Sequence, residues 1–103
     1  MDDALHAIAE PNRRRILTLV RDGELTVGAI ASQFDVTRPA ISQHLKVLRE
    51  AGLVSERREG TRRYYRARPE ALRELRDFLA DFWDDRLAEL QAAAESEERR
   101  KRS

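Results

Sequence analysis

With 103 residues, the chain has room for one domain and one modest core, burying about 65% of the unfolded surface. It contains no cysteine, which excludes disulfides, thiolate metal sites and thiol redox switches. No apolar run approaches the ~20 residues of a membrane span and the N-terminus lacks a signal-peptide core, so the chain reads as cytoplasmic, with no membrane partner. The net charge of +1 carries little information by itself, but its distribution does: basic residues crowd into 37–69 and acids into 70–98.

Residues 3–9 predict a short helix with Leu5 and Ile8 on one side. Pro11 and Asn12 end it and start a second, about 12–21, with Ile16, Leu17, Leu19 and Val20 inward. Arg13-Arg14-Arg15 near its start oppose the helix macrodipole. The run is either a solvated face paired with Glu10, Asp22 or Glu24, or the seat of an outside anion. Asp22-Gly23 is a turn. Thr26 is the expected N-cap of a third helix, Val27 to Phe34, with Val27, Ile30, Ala31 and Phe34 inward.

The following helix, Thr37 to Gly52, carries most of the functional signal. Thr37 suits the N-cap, Pro39 the first turn and Gly52 the C′ position. At about 100° per residue, Ala40, Ile41, Leu45, Val47 and Leu48 share one arc, while Arg38, Pro39, Ser42, Gln43, Lys46 and Arg49 share the other. An arc with Arg, Gln, Ser and Lys is equipped for a major groove, where Arg reads guanine and Gln reads adenine. Taken alone, it is equally an ordinary amphipathic surface helix. Its neighbour decides between them: two short helices joined by a tight link, spanning Thr26 to Leu48, fit a helix-turn-helix.

After Gly52 the period changes from that of a helix to that of a strand. Residues 53–59 and 62–68 flank Gly60-Thr61 and predict a β-hairpin. Arg57, Arg58, Arg62 and Arg63 at its tip could simply block strand pairing, but their place directly after a recognition helix favours a wing on the phosphate backbone. Pro69 and Glu70 open the last helix. Its apolar stripe, Leu72, Leu75, Phe78, Leu79, Phe82, Trp83, Leu87 and Leu90, is too wide for the small core to cover, so it is expected to pair with a copy of itself. Residues 93–103 are nearly all charge and serine, and are expected to form a frayed or disordered tail after a domain of 1–92.

Isolated polar residues add no chemistry. His44 is expected to be a structural or phosphate-touching histidine, and His6 an ordinary surface residue. Ser42 and His44 point about 200° apart on a helix and cannot act as nucleophile and base. Asp81, Asp84 and Asp85 have no His or Cys partner and read as a solvated face. There is no catalytic constellation, so the chain is not expected to be an enzyme.

Taken together, Asp22-Gly-Glu-Leu-Thr-Val-Gly-Ala-Ile-Ala31, Arg38-Pro-Ala-Ile-Ser-Gln-His-Leu-Lys-Val-Leu-Arg-Glu-Ala-Gly-Leu-Val54, Glu10-Pro-Asn-Arg-Arg-Arg-Ile-Leu17 and Arg58-Glu-Gly-Thr-Arg-Arg-Tyr-Tyr65 resemble the ArsR (ArsR/SmtB) family of bacterial transcriptional repressors. The likeness covers about residues 3–90. It implies a homodimer whose first and last helices form the interface, binding an imperfect inverted repeat of double-stranded DNA and repressing its own operon. It maps DNA contacts onto Thr37, Arg38, Pro39, Ser42 and Gln43 and the wing arginines; Lys46 joins them from the polar arc. Leu5, Ile8, Leu75, Phe78, Leu79, Phe82, Trp83 and Leu87 are the expected dimer contacts. Metal-sensing members carry Cys-Val-Cys where this chain has Thr26-Val27-Gly28, and Asp and His residues on the last helix, which here has no histidine. Neither a metal nor a cofactor is therefore expected.

The expected architecture is mainly α with a small β-hairpin, a winged helix-turn-helix in the order α-α-α-α-β-β-α. The expected function is that of a sequence-specific DNA-binding regulator. Two alternatives stay open. One is a sensor of the same fold whose small-molecule effector sits between the terminal helices, against Phe78, Phe82 and Trp83. The other is a winged-helix module that binds protein, against which the cationic wing and polar arc argue.

Overall fold

The computed structural model describes residues 1–102. Helix α1 spans Asp2–Ile8 and α2 spans Pro11–Val20. Glu10 caps α2, its carboxylate accepting from the Arg13 N–H at 2.9 Å, and Pro11 fills the first turn, where no amide partner is needed. Helices α3, Val27–Ala31, and α4, Arg38–Glu50, start at the expected threonines. The Thr26 and Thr37 hydroxyls accept from the N–H groups of Ala29 and Ala40, at 3.2 and 3.3 Å.

Helix α3 stops at Ala31, short of the expected Phe34. The Ser32 hydroxyl donates back to the Ala29 carbonyl at 2.7 Å, and the next two amides, Gln33 and Phe34, reach only three residues back. The turn tightens and the chain leaves the helix. Helix α4 ends in a Schellman motif: Leu53 N–H bonds Leu48 O and Gly52 N–H bonds Arg49 O, each at 3.0 Å, with Gly52 at φ +77°.

Three strands, β1 (Leu25–Thr26), β2 (Val54–Glu59) and β3 (Arg62–Ala67), form an antiparallel sheet in the order β1-β3-β2. The expected hairpin is β2–β3, closed by the two-residue loop Gly60-Thr61 with Glu59 opposite Arg62. Gly60 at φ +61°, followed by a residue of negative φ, has the sign pattern of a II′ turn. Strand β1 is an addition that a hairpin alone does not include; it places Leu25 opposite Tyr65 and Thr26 opposite Tyr64, tying the start of α3 to the wing.

The core is built from Ile16 and Val20 of α2, Ile30 of α3, Ile41, Leu45 and Leu48 of α4, and Leu53, all essentially inaccessible to water. Tyr65 and Ala67 of β3, Val54 of β2, Ala4 and Ala7 of α1, and Leu75 close it. Helix α5, Pro69–Arg102, contributes only its first two turns to this core. From Arg76 through Lys101 every side chain is exposed, and the molecule is drawn out to 73 × 28 × 22 Å. The helix continues without a break at Ala92, through the segment expected to fray, and Ser103 lies outside the described residues. Among the described residues no helix is long and apolar enough to cross a membrane.

Candidate nucleic-acid interface

The two arcs of α4 separate as their periodicity requires. Ile41, Leu45 and Leu48 are buried, while Thr37, Arg38, Pro39, Ser42, Gln43, Lys46 and Arg49 all face water. Burying one side against α2 and α3 aims the other outward with no further device. Arg38 and Ser42 then meet the wing tip. Together with Thr26, Val27, Gly28, Thr61, Arg62 and Arg63 they line an open cleft of about 400 Å³. Residues separated widely in sequence, from α4 and from the wing, thus share one cationic, hydroxyl-rich hollow. Gln43 and Lys46 stand on the same exposed arc outside it, and Arg57 and Arg58 lie elsewhere on the wing.

The wing arginines do not form a single patch. Strand pleating sends alternate side chains to opposite faces. The register pairs Arg57 with Tyr64 and Glu59 with Arg62 on one face, and Arg58 with Arg63 and Glu56 with Tyr65 on the other. On the first face Arg57 lies over the Tyr64 ring at 4.6 Å and donates to Glu24 at 2.9 Å and to Glu59 at 3.0 Å. These carboxylates hold its guanidinium firmly in the charged form. On the second face Glu56 takes Arg58 at 3.2 Å, has Arg63 at 3.9 Å, and is ion-paired with Arg49 in the last turn of α4.

Glu56 is the least exposed of the ion-paired acids, its side chain 11% accessible. Burial pushes its carboxyl up, but hydrogen bonds from Arg58, Tyr65 and Arg49 outweigh this and hold it below its ordinary value. The Tyr65 hydroxyl donates to it at 3.1 Å, and burial together with this carboxylate raises the phenol. Neither Glu56 nor its link to Arg49 was assigned a role by periodicity. An acid at an inward hairpin position within an arginine-rich strand was the one available signal.

The side chains of the Arg13-Arg14-Arg15 run bond backbone carbonyls in place of Glu10, Asp22 or Glu24. Arg13 Nε donates to Ala7 O at 2.6 Å and its Nη2 to His6 O at 3.2 Å. Arg14 donates to Ile8 O at 2.8 Å. Arg15 donates to Gln33 O at 3.0 Å and lies 4.3 Å over the Phe34 ring. All three therefore serve carbonyls at or just beyond the ends of α1 and α3, where helices leave acceptors unpaired. His44 is half-buried between Arg13, at 3.4 Å, and the Glu10 carboxylate, at 3.9 Å, a structural position joining α2 to α4.

The expected dimer residues fall into three groups. Leu75 is buried within the single chain, and Leu5 and Ile8 are half-buried against its core. Phe78, Leu79, Phe82, Trp83, Leu87 and Leu90 of α5 are 40–61% exposed. Among the described residues no group of three or more His, Cys, Asp or Glu stands ready to hold a metal ion.

A polar helix arc seated beside a basic two-stranded wing, on a core of short helices, defines a winged helix-turn-helix DNA-binding regulator. Residues 10–56 match the arsR family of bacterial regulatory proteins. The chain is 48% identical over 82 residues to the HTH-type transcriptional regulator Rv2034 of Mycobacterium tuberculosis, spanning 80% of this chain and 77% of that protein. It is 35% identical over 82 residues to the transcriptional repressor SdpR of Bacillus subtilis, spanning 80% and 91%. A crystal structure of a possible transcriptional regulator for arsenical resistance superposes with a TM-score of 0.77 at 50% identity, covering 87% of this chain and 94% of that one. The chain belongs to the ArsR family, a class of DNA-binding transcriptional regulators rather than enzymes.

Proposed function

We propose that this regulator is a cytoplasmic homodimeric repressor that binds an inverted-repeat operator. The observation that carries the reading is the shared cleft, which brings Arg38 of α4 and Arg62 of the wing to one open hollow. Helix α4 enters the major groove, with Arg38 and Gln43 on base edges and Ser42 on an edge or phosphate. Thr37, Pro39 and Lys46 approach the adjacent backbone, and Arg57, Arg58, Arg62 and Arg63 take flanking phosphates. A row of exposed aromatic and leucine side chains as long as that on α5 marks an interface. A second copy packed along Phe78, Leu79, Phe82, Trp83 and Leu87, with Leu5 and Ile8 at its edge, covers it. Two-fold symmetry then sets the half-sites roughly 10–20 bp apart.

Fluorescence anisotropy on duplex from the gene's own upstream region, against a shuffled duplex in a salt series, tests the reading. The expected result is a preference for the native duplex with a steep salt dependence. Arg38→Ala or Gln43→Ala then relaxes that preference by ~1–3 kcal/mol. Sedimentation of Trp83→Asp is expected to give a monomer where the wild type gives a dimer. Equal, weak binding to both duplexes, or a monomeric wild type, would overturn it.

A further inference from the structure

The cations on the DNA-facing side fall into two sets. Among the described residues Arg38, Lys46 and Arg62 have no acidic partner, whereas Arg49, Arg57, Arg58 and Arg63 are each held by a carboxylate. Glu56 alone serves three guanidinium groups from three segments, the end of α4, β2 and β3, and is anchored from below by Tyr65. Glu24 and Glu59 do the same for Arg57 on the opposite face.

A carboxylate and a phosphate offer a guanidinium the same paired oxygens. From this geometry we infer that the wing carboxylates, Glu56 foremost, are internal phosphate surrogates that restrain binding to DNA of arbitrary sequence and so help to set specificity. The inference rests on the wing meeting the DNA backbone, as proposed above. Duplex of arbitrary sequence attracts the protein through phosphates alone. A held arginine can join that attraction only by leaving its acid, and an exposed ion pair is worth about as much as the exchange returns. On an operator, Arg38 and Gln43, which the acids do not hold, add base contacts that arbitrary sequence does not offer, so the exchange at the wing is a larger share of what unspecific binding returns. Glu56 differs from a merely solubilising acid in its position: it is mostly buried, it is ionised, and it connects the wing to the helix that reads the bases.

The test uses the full chain with a mixed-sequence duplex and a duplex enriched from a random pool by the wild type, each in a salt series. Glu56→Gln keeps the shape and an acceptor for Tyr65 while removing the charge. It is expected to bind the mixed-sequence duplex about two- to fivefold more tightly, with a salt slope steeper by about one to two, and to narrow the gap between the two duplexes. Arg58→Gln should then cost more affinity in the Glu56→Gln background than in the wild type, a coupling that a purely structural role for Glu56 does not produce. If Glu56→Gln does not fold, the exposed Glu24→Gln, which loosens Arg57, is expected to give a smaller change of the same sign. A wild type that enriches no duplex from the pool and does not bind the mixed-sequence one would overturn the reading of the wing itself. A wild type that binds, with the glutamine variants unchanged or weaker on mixed-sequence DNA, would overturn the surrogate role alone.

Discussion

Two runs of arginine look alike in the sequence, Arg13–Arg15 and Arg57–Arg63, and the fold uses them in opposite ways. The first ends up on backbone carbonyls around α1 and α3, the second, Arg62 apart, on the side-chain carboxylates of Glu24, Glu56 and Glu59. The acceptor makes the difference. A carbonyl at a helix end is fixed in place, so the arginine that serves it is a structural tie. A surface carboxylate is one of several anions that the same guanidinium can accept, so an arginine paired with it stays available for exchange. A positive run is therefore classified by what lies within reach, not by its charge.

Four substitutions test that contrast, in decreasing order of effect. Arg13→Met removes two carbonyl bonds from a partly buried guanidinium; Ala7 O loses the arginine's 2.6 Å bond, while His6 O keeps the Ala9 N–H. The expected loss is ~2 kcal/mol of stability, a fall in melting temperature of roughly 10 °C by thermal denaturation. Arg62→Ala should leave the melting temperature alone, since nothing in the fold rests on this exposed side chain. Its expected effect is on DNA, a uniform weakening on every duplex of roughly 1 kcal/mol with a salt slope lower by about one. A melting shift in Arg62→Ala, or a changed sequence preference, would place the residue with the structural ties instead. Arg15→Gln gives up one exposed carbonyl bond and the contact with Phe34, for an expected ~0.5–1 kcal/mol of stability and no change in salt slope.

The smallest effect is one of pH. Glu56 has its carboxyl held below its ordinary value of 4.5 in the fold, so the stabilisation is complete above that value and fades as pH falls through the lower folded one. The melting temperature is expected to drop on acidification below about pH 4.5, and Glu56→Gln to flatten that part of the profile. Glu70, held low by its own backbone N–H at the start of α5 and by Arg68, keeps a residual slope in the variant. If the two profiles superpose, the network around Glu56 contributes nothing to the folded state.

Local signals accounted for much of the fold. Thr26 and Thr37 cap helices because a hydroxyl beside an incipient helix has an amide to satisfy, and Gly52 and Gly60 turn the chain because their positive φ suits no other residue as well. The polar arc of α4 was legible because burying Ile41, Leu45 and Leu48 leaves only one direction for Arg38, Ser42 and Gln43. Strand β1 was not legible, since two residues show no period and pair only once Tyr64 and Tyr65 are in place. Nor was the division of the wing arginines between faces, because that requires the register of the hairpin and not its composition. The partners of Arg13, Arg14 and Arg15 are carbonyls, which every residue carries, so no pattern of side chains points to them.

A single residue, Arg68, separates the last wing strand from α5. Its N–H bonds Leu53 O at 2.9 Å, its guanidinium reaches Gly52 O at 3.4 Å, and it pairs with Glu70 at 3.0 Å. The junction is pinned to the end of α4 and has no slack in which a hinge could sit. At 1.5 Å per residue the helix beyond it is a lever roughly 50 Å long. A tilt of a few degrees at this fulcrum sweeps the far end through several ångströms, and leverage runs the other way too: whatever grips the tip of the rod turns the wing with a large mechanical advantage.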